Sequence, residues 1–186
     1  DVEILDKFLE IRDKDVLRTF PIIALRHAKA VPADEWDGSD ASRPLAPRGR
    51  KQANALVGPL LAFGARRIVS SPAVRCAKTV GPLSAALGRR VDYSPLISQD
   101  AWEEGATDAR SVVGARVRSR KPAVLCSHGP VLPEIIQELA MATGSLMGSH
   151  LGNASGLSPG GFSVVHLSTD NPGSGIVAIE THQPPA

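Results

Sequence analysis

Aromatic residues make up only 4% of this 186-residue chain, with a single Tyr and two Trp. That scarcity argues against a base-stacking platform for single-stranded nucleic acid. An excess of one charge is also missing. The 21 Lys and Arg stand against 19 Asp and Glu, leaving +2 at pH 7. A nucleic-acid binder would usually carry a concentrated basic surplus, so no nucleic-acid partner is expected. No apolar run approaches the ~20 residues of a membrane helix, so no membrane partner is expected either. Cysteine is nearly absent: Cys76 and Cys126 are the two in the chain, and they lack CxxC spacing. They read as reduced, buried small hydrophobes of a cytoplasmic protein rather than as a disulfide. Of the five histidines only His128 lies close to a cysteine, and one such pair is a poor metal signal. The start, Asp1-Val2-Glu3, has neither an initiator Met nor a signal-peptide pattern and reads as a processed piece or a cut-out domain.

What is present is the composition of an ordinary globular domain, 42% hydrophobic and 22% charged. The pattern divides the chain at Pro21. Residues 1–20 read as a linker or docking helix, with Ile4, Leu5, Phe8, Leu9 and Ile11 at helical spacing among charges. Residues 21–186 read as one domain. Ile22 to Leu25 is a short continuous apolar run of the kind a buried parallel strand shows. Ala53, Leu56, Val57, Leu60 and Leu61 form one helical stripe ended by Gly64. Ile68-Val69 predicts a strand, and Ser71-Pro72 a turn into a helix through Val74 and Ala77. Val91 to Tyr93 is a weak strand, Ala106 to Arg118 a helix, and Ala123 to Cys126 a buried strand. A helix through Ile135 and Leu139 follows, with Pro133 in its first turn. Phe162 to Leu167 and Ile176 to Ile179 predict a late hairpin around Asn171-Pro172-Gly173. Strands alternating with helices imply an α/β fold, a three-layer α/β/α sandwich around a mostly parallel sheet.

In such sheets ligands gather beyond the carboxyl ends of the strands. The first strand ends in Arg26-His27, the turn after the second delivers Arg75, and the Ala123 strand ends in Ser127-His128-Gly129. Singly, a strand-end His is more often structural than catalytic, and a lone Arg is usually a solvated charge. Converging on one mouth, they make an anion site. Guanidinium groups grip tetrahedral oxyanions in forked pairs. Two arginines and a protonated imidazole can neutralise a phosphoryl group in transit, while a second, neutral histidine attacks phosphorus. That chemistry requires no metal and no cofactor. A cysteine phosphatase would need Cys-x5-Arg, and the sixth residue after Cys126 is Leu132.

Leu25-Arg26-His27-Ala28-Lys29 resembles the signature of the histidine phosphatase superfamily, in the form seen in its small SixA-like branch. The likeness continues through Arg43-Pro44-Leu45 with Gly49 and Gln52-Ala53, and through Ser70 to Arg75 with Thr79. It ends with Ser127-His128-Gly129 and Pro159-Gly160-Gly161-Phe162. The resemblance implies that His27 is the nucleophile and that Arg26, Arg75 and His128 form the phosphate pocket. It implies that Lys29 and Arg43 touch the rest of the substrate. Larger members of the family use an acid after the third strand; here Asp100, Glu103 and Glu104 occupy that region, and the proton donor stays open among them, with Glu103 taken first. More narrowly, the chain is similar to the C-terminal half of mycobacterial MutT-type proteins, in which a Nudix hydrolase domain precedes a SixA-like domain. No GX5EX7REUXEEXGU Nudix box occurs in these residues. That kinship implies a phosphorylated small molecule as substrate, a nucleotide such as an 8-oxo-guanine nucleotide or a diadenosine polyphosphate, and an upstream Nudix domain as partner. Two alternatives stay open: a phosphate-binding or scaffolding domain without turnover, and a SixA-like phosphohistidine protein phosphatase.

Overall fold

The computed structural model describes residues 5, 6, 9, 10, 12, 17–146 and 148–184. The docking helix expected over Val2–Leu17 falls largely outside that set. Six strands form one sheet: β1 (Thr19–Arg26), β2 (Arg67–Ser70), β3 (Asp92–Tyr93), β4 (Ala123–Ser127), β5 (Phe162–Ser168) and β6 (Ile176–His182), in the order β3-β2-β4-β1-β5-β6. The β3-β2-β4-β1 portion is parallel, and β5 and β6 add antiparallel strands on the far side.

Strand β1 is central because its sequence leaves it no face for water. Ile22, Ile23, Ala24 and Leu25 have no exposed surface, and alternation sends them to opposite sides. Ile22 and Ala24 join a core that includes Val113, Val117, Leu132 and Ile136, from helices α5 (Ala109–Ser119) and α6 (Leu132–Thr143). Ile23 and Leu25 join a second core with Leu60 of α2 (Val57–Ala62) and with Val80 and Leu83 of α3 (Val74–Leu87). Helices therefore cover both faces, giving the expected three-layer sandwich. Among the described residues no helix is long and apolar enough to cross a membrane.

Three local expectations change. The single stripe from Ala53 to Leu61 is two helices, α1 (Pro47–Ala55) and α2. Pro59 has no N–H to give the carbonyl of Ala55, so the ladder breaks there. The helix expected from Ala106 starts at Ala109, because the Asp108 carboxylate accepts the Ser111 N–H at 2.9 Å and caps it. Two short helices lie where none was expected, α4 (Gln99–Glu103) and α7 (Ser149–Ser155).

The register aligns the functional ends. Arg26 lies opposite Ser127, and Ser70 opposite Cys126. The segment after β1 is then pinned from below. Ala46 N–H donates to the Lys29 carbonyl at 3.0 Å, and Gly49 of α1 packs under that same carbonyl. A Cβ at Gly49 would lie 1.9 Å from the Lys29 oxygen, whereas one at Gly58 would meet nothing within 4 Å. Gly49→Ala should therefore cost about 1–3 kcal/mol of stability through overpacking, read by chemical denaturation, while Gly58→Ala should cost none. Equal stability of the two variants would contradict this packing.

Candidate active site

Arg26, His27, Arg75 and His128 meet at the carboxyl edge of β1 and β4, the convergence that apolar strands followed by charged residues predict. His27 is nearly buried, and its Nδ1 lies 2.8 Å from the Ala28 carbonyl. A carbonyl only accepts, so Nδ1 carries the proton and Nε2 keeps a lone pair. The backbone around it is held on every side. His27 N–H donates to the Ser127 carbonyl at 3.0 Å, Gly160 N–H donates to the His27 carbonyl at 3.0 Å, and Arg26 N–H donates to the Gly161 carbonyl at 3.0 Å. Ala28 N–H donates to Thr79 Oγ1 at 2.9 Å and Lys29 N–H to Gln52 Oε1 at 3.0 Å.

Arg75 has no exposed surface. Its Nη1 donates to the Asp40 backbone carbonyl at 2.5 Å, and its Nη2 to Asp40 Oδ2 at 2.5 Å and to Gln99 Oε1 at 3.1 Å. The same Nη2 lies 3.1 Å from His128 Nδ1. A guanidinium only donates, so that nitrogen accepts, and the His128 proton sits on Nε2, 2.8 Å from Ser71 Oγ. The imidazole expected to be charged at His128 is thus neutral. Burial first, then the Arg75 charge, pushes its pKa down to about 2. Burial is also the main cause that brings His27 down to about 4, helped by Arg75, Arg26 and Arg43 against the Ala28 hydrogen bond. The two rings stand edge to face, 5.3 Å apart.

Arg26 donates through Nη1 to the Leu157 carbonyl at 2.6 Å and lies over Gly129, where a Cβ would come within 3.1 Å of the guanidinium. The Nε groups of Arg26 and Arg75 are buried without a protein acceptor. Two desolvated cationic donors in one pocket suit an anion. Lys29 points outward, exposed. Arg43 braces its own loop, donating to the Val31 carbonyl at 2.8 Å and to Asp40 Oδ1 at 2.7 and 3.0 Å. Glu103 stays one residue away from the pocket: its carboxylate accepts from Gln99 Nε2 at 2.9 Å, and Gln99 in turn accepts from Arg75.

Asp40 and Gln99 are the residues that sequence reasoning missed. For Asp40 the available signal was a carboxylate three residues before Arg43. Partial burial disfavours its charged form, but hydrogen bonds from Arg43 and Arg75 outweigh that and hold the carboxyl below its ordinary range.

Residues 22–109 match the profile of the histidine phosphatase superfamily, branch 1. Those residues carry a histidine phosphatase superfamily domain. A curated relative, the 8-oxo-(d)GTP phosphatase of Mycolicibacterium smegmatis, is 34% identical over 134 residues, 67% of this chain and 41% of that protein. The chain thus spans about two fifths of that relative's length. The fold is shared with a protein assigned as the phosphohistidine phosphatase SixA of Nakamurella multipartitia, at TM-score 0.66 and 19% identity, covering 91% of this chain and 98% of the other. It is also shared with a mycobacterial glucosyl-3-phosphoglycerate phosphatase, at TM-score 0.63 and 16% identity, covering 91% and 100%.

The depressed imidazoles set a pH dependence. Unfolded, both histidines titrate near about 6.5; folded, they do so at about 4 and about 2. Between those limits the unfolded chain binds more protons, so stability is full above about pH 6.5 and falls as the pH drops. Thermal unfolding of the ligand-free protein should show a midpoint falling between about pH 6.5 and 4, and falling less in His27→Gln. A flat midpoint across that window would mean that these rings are not desolvated.

Proposed function

We propose that the chain hydrolyses a phosphate ester or anhydride without metal, through a phosphohistidine at His27. The observation that carries this reading is the tautomer. The Ala28 carbonyl fixes the proton on Nδ1, leaving the Nε2 lone pair beside two arginines whose Nε donors are unpartnered. Low basicity keeps that lone pair free at neutral pH. Arg26 and Arg75 hold the phosphoryl oxygens, offsetting the charge that spreads over them in transit, and His128, its Nε2–H given to Ser71, orients Arg75 through Nδ1. Nε2 of His27 attacks phosphorus, the bond to the leaving group breaks, and water then releases phosphate from the imidazole.

For the substrate we propose a phosphorylated nucleotide of the 8-oxo-guanine or diadenosine polyphosphate kind, handled together with an upstream Nudix domain. Support for the 8-oxo-guanine nucleotide comes from the name of the curated relative. It comes also from a groove of about 390 Å³ between α1 and α3, lined by Leu45, Ala53 and Pro82 with Arg50 and Lys78 at its rim. Pro44 and Val74, which also line it, adjoin Arg43 and Arg75 in the chain. An apolar groove edged by cations suits a ligand with an uncharged ring system next to phosphate.

Two experiments test this. Rapid quenching with labelled substrate should trap an acid-labile, base-stable phosphoryl group on wild-type protein and none on His27→Ala; label persisting in the variant would refute the assignment. Arg75→Lys keeps the charge but loses the fork that spans several acceptors. Steady-state kinetics should show a loss of about 1.5–3 kcal/mol of transition-state stabilisation, about ten- to a hundredfold in rate. Full activity in Arg75→Lys would remove Arg75 from the site.

A further inference from the structure

We propose that Asp40 is the proton donor to the leaving group, and that the bound phosphoryl group itself releases it for that task. The inference rests on the phosphohistidine reading of His27. Among the described residues Asp40 is the one carboxylate in hydrogen-bond contact with Arg75. Glu103 reaches only the Gln99 amide. Asp40 also stands at the mouth rather than inside. Its side chain is 34% exposed, against none for Arg75, so a leaving group departing toward solvent passes it.

The argument is one of exchange. Asp40 occupies both terminal nitrogens of Arg75, one with its backbone carbonyl and one with Oδ2. Those are forked donors a phosphoryl group would also use. When phosphoryl oxygens take them, Oδ2 loses a cation and gains an anionic neighbour. Both changes favour the neutral carboxyl. Arg43 keeps its two hydrogen bonds to Oδ1, so the carboxyl stays at the mouth with Oδ2 as the protonated oxygen. The charged or titratable groups that bear on Asp40 are Arg43 from its own turn, Arg75 from α3 and His128 from the end of β4. As the bond between His27 Nε2 and phosphorus forms, the bond from phosphorus to the leaving oxygen breaks, and the Oδ2 proton passes to that oxygen. In the second half the Asp40 carboxylate takes a proton from the attacking water. The phosphorus–nitrogen bond then breaks, and phosphate departs.

The test is the dependence of rate on leaving-group basicity, with 2,4-dinitrophenyl, para-nitrophenyl and phenyl phosphate as probes. Wild type should show a shallow dependence, a measurement that needs no variant, and a steep one would overturn the proposal. Asp40→Asn should lose about 10²–10⁴-fold on phenyl phosphate and far less on the dinitrophenyl ester, with Asp40→Glu recovering part of the loss. Equal loss on all three esters would make Asp40 a positioning residue for Arg75 and overturn the donor role. So would no loss at all, or a basicity-selective loss in Glu103→Gln instead. Label trapped on His27 in each of those cases shows that only the donor assignment fails; absence of label in wild type overturns the phosphohistidine reading and this one with it.

Discussion

A guanidinium with no exposed surface must be satisfied by the protein around it, and much of this site follows from how Arg75 is satisfied. Leaving such a charge buried and unpaired would cost several kcal/mol. Three separate parts of the chain supply acceptors: the Asp40 turn, Gln99 at the start of α4, and His128 at the end of β4. Each acceptor is thereby fixed in a chemical state. His128 must offer a lone pair at Nδ1, which forces its proton to Nε2 and onto Ser71. Asp40 is held ionised. The buried cation thus rests on an internal carboxylate.

Around this charge the motif residues act mainly through the backbone. Thr79 and Gln52 accept N–H groups from the turn after β1, and the Gly160-Gly161 corner clamps Arg26 and His27 between itself and β4. Gly160 sits at φ +85°, a conformation open to glycine, and brings its N–H onto the His27 carbonyl. The result is that the ring and main chain of His27 have little freedom. Gly49 serves the same end from beneath by letting α1 approach Lys29.

Arg43 and Glu103 illustrate how a residue can lie close to His27 and Arg75 while its hydrogen bonds go elsewhere. Arg43 spends its donors on Val31 and Asp40, and influences His27 through its field. Glu103 communicates with Arg75 only through the Gln99 amide. In both cases the carbon skeleton is in the right neighbourhood, and the hydrogen-bond partner decides what the group does.

The apolar runs of β1, β2 and β4, and the charged residues just beyond them, were legible in the chain because both signals are local. A strand buried on two faces must be continuously apolar, and a parallel sheet must set its strand ends at one edge. Arg26, His27, Arg75 and His128 therefore declared themselves, and the layered fold with them. Interactions that span the chain did not. Asp40 lies 35 residues from Arg75, and its one local signal, a carboxylate three residues before Arg43, points to Arg43 and not to Arg75. The tautomers of both histidines depend on a carbonyl and a guanidinium placed by tertiary packing, as does the neutrality of His128. Sequence alone determined which charged groups stand at the strand ends. Only the folded structure decided which nitrogen holds a lone pair and which carboxylate reaches the arginine, because those depend on distances of about 3 Å between segments that periodicity cannot align.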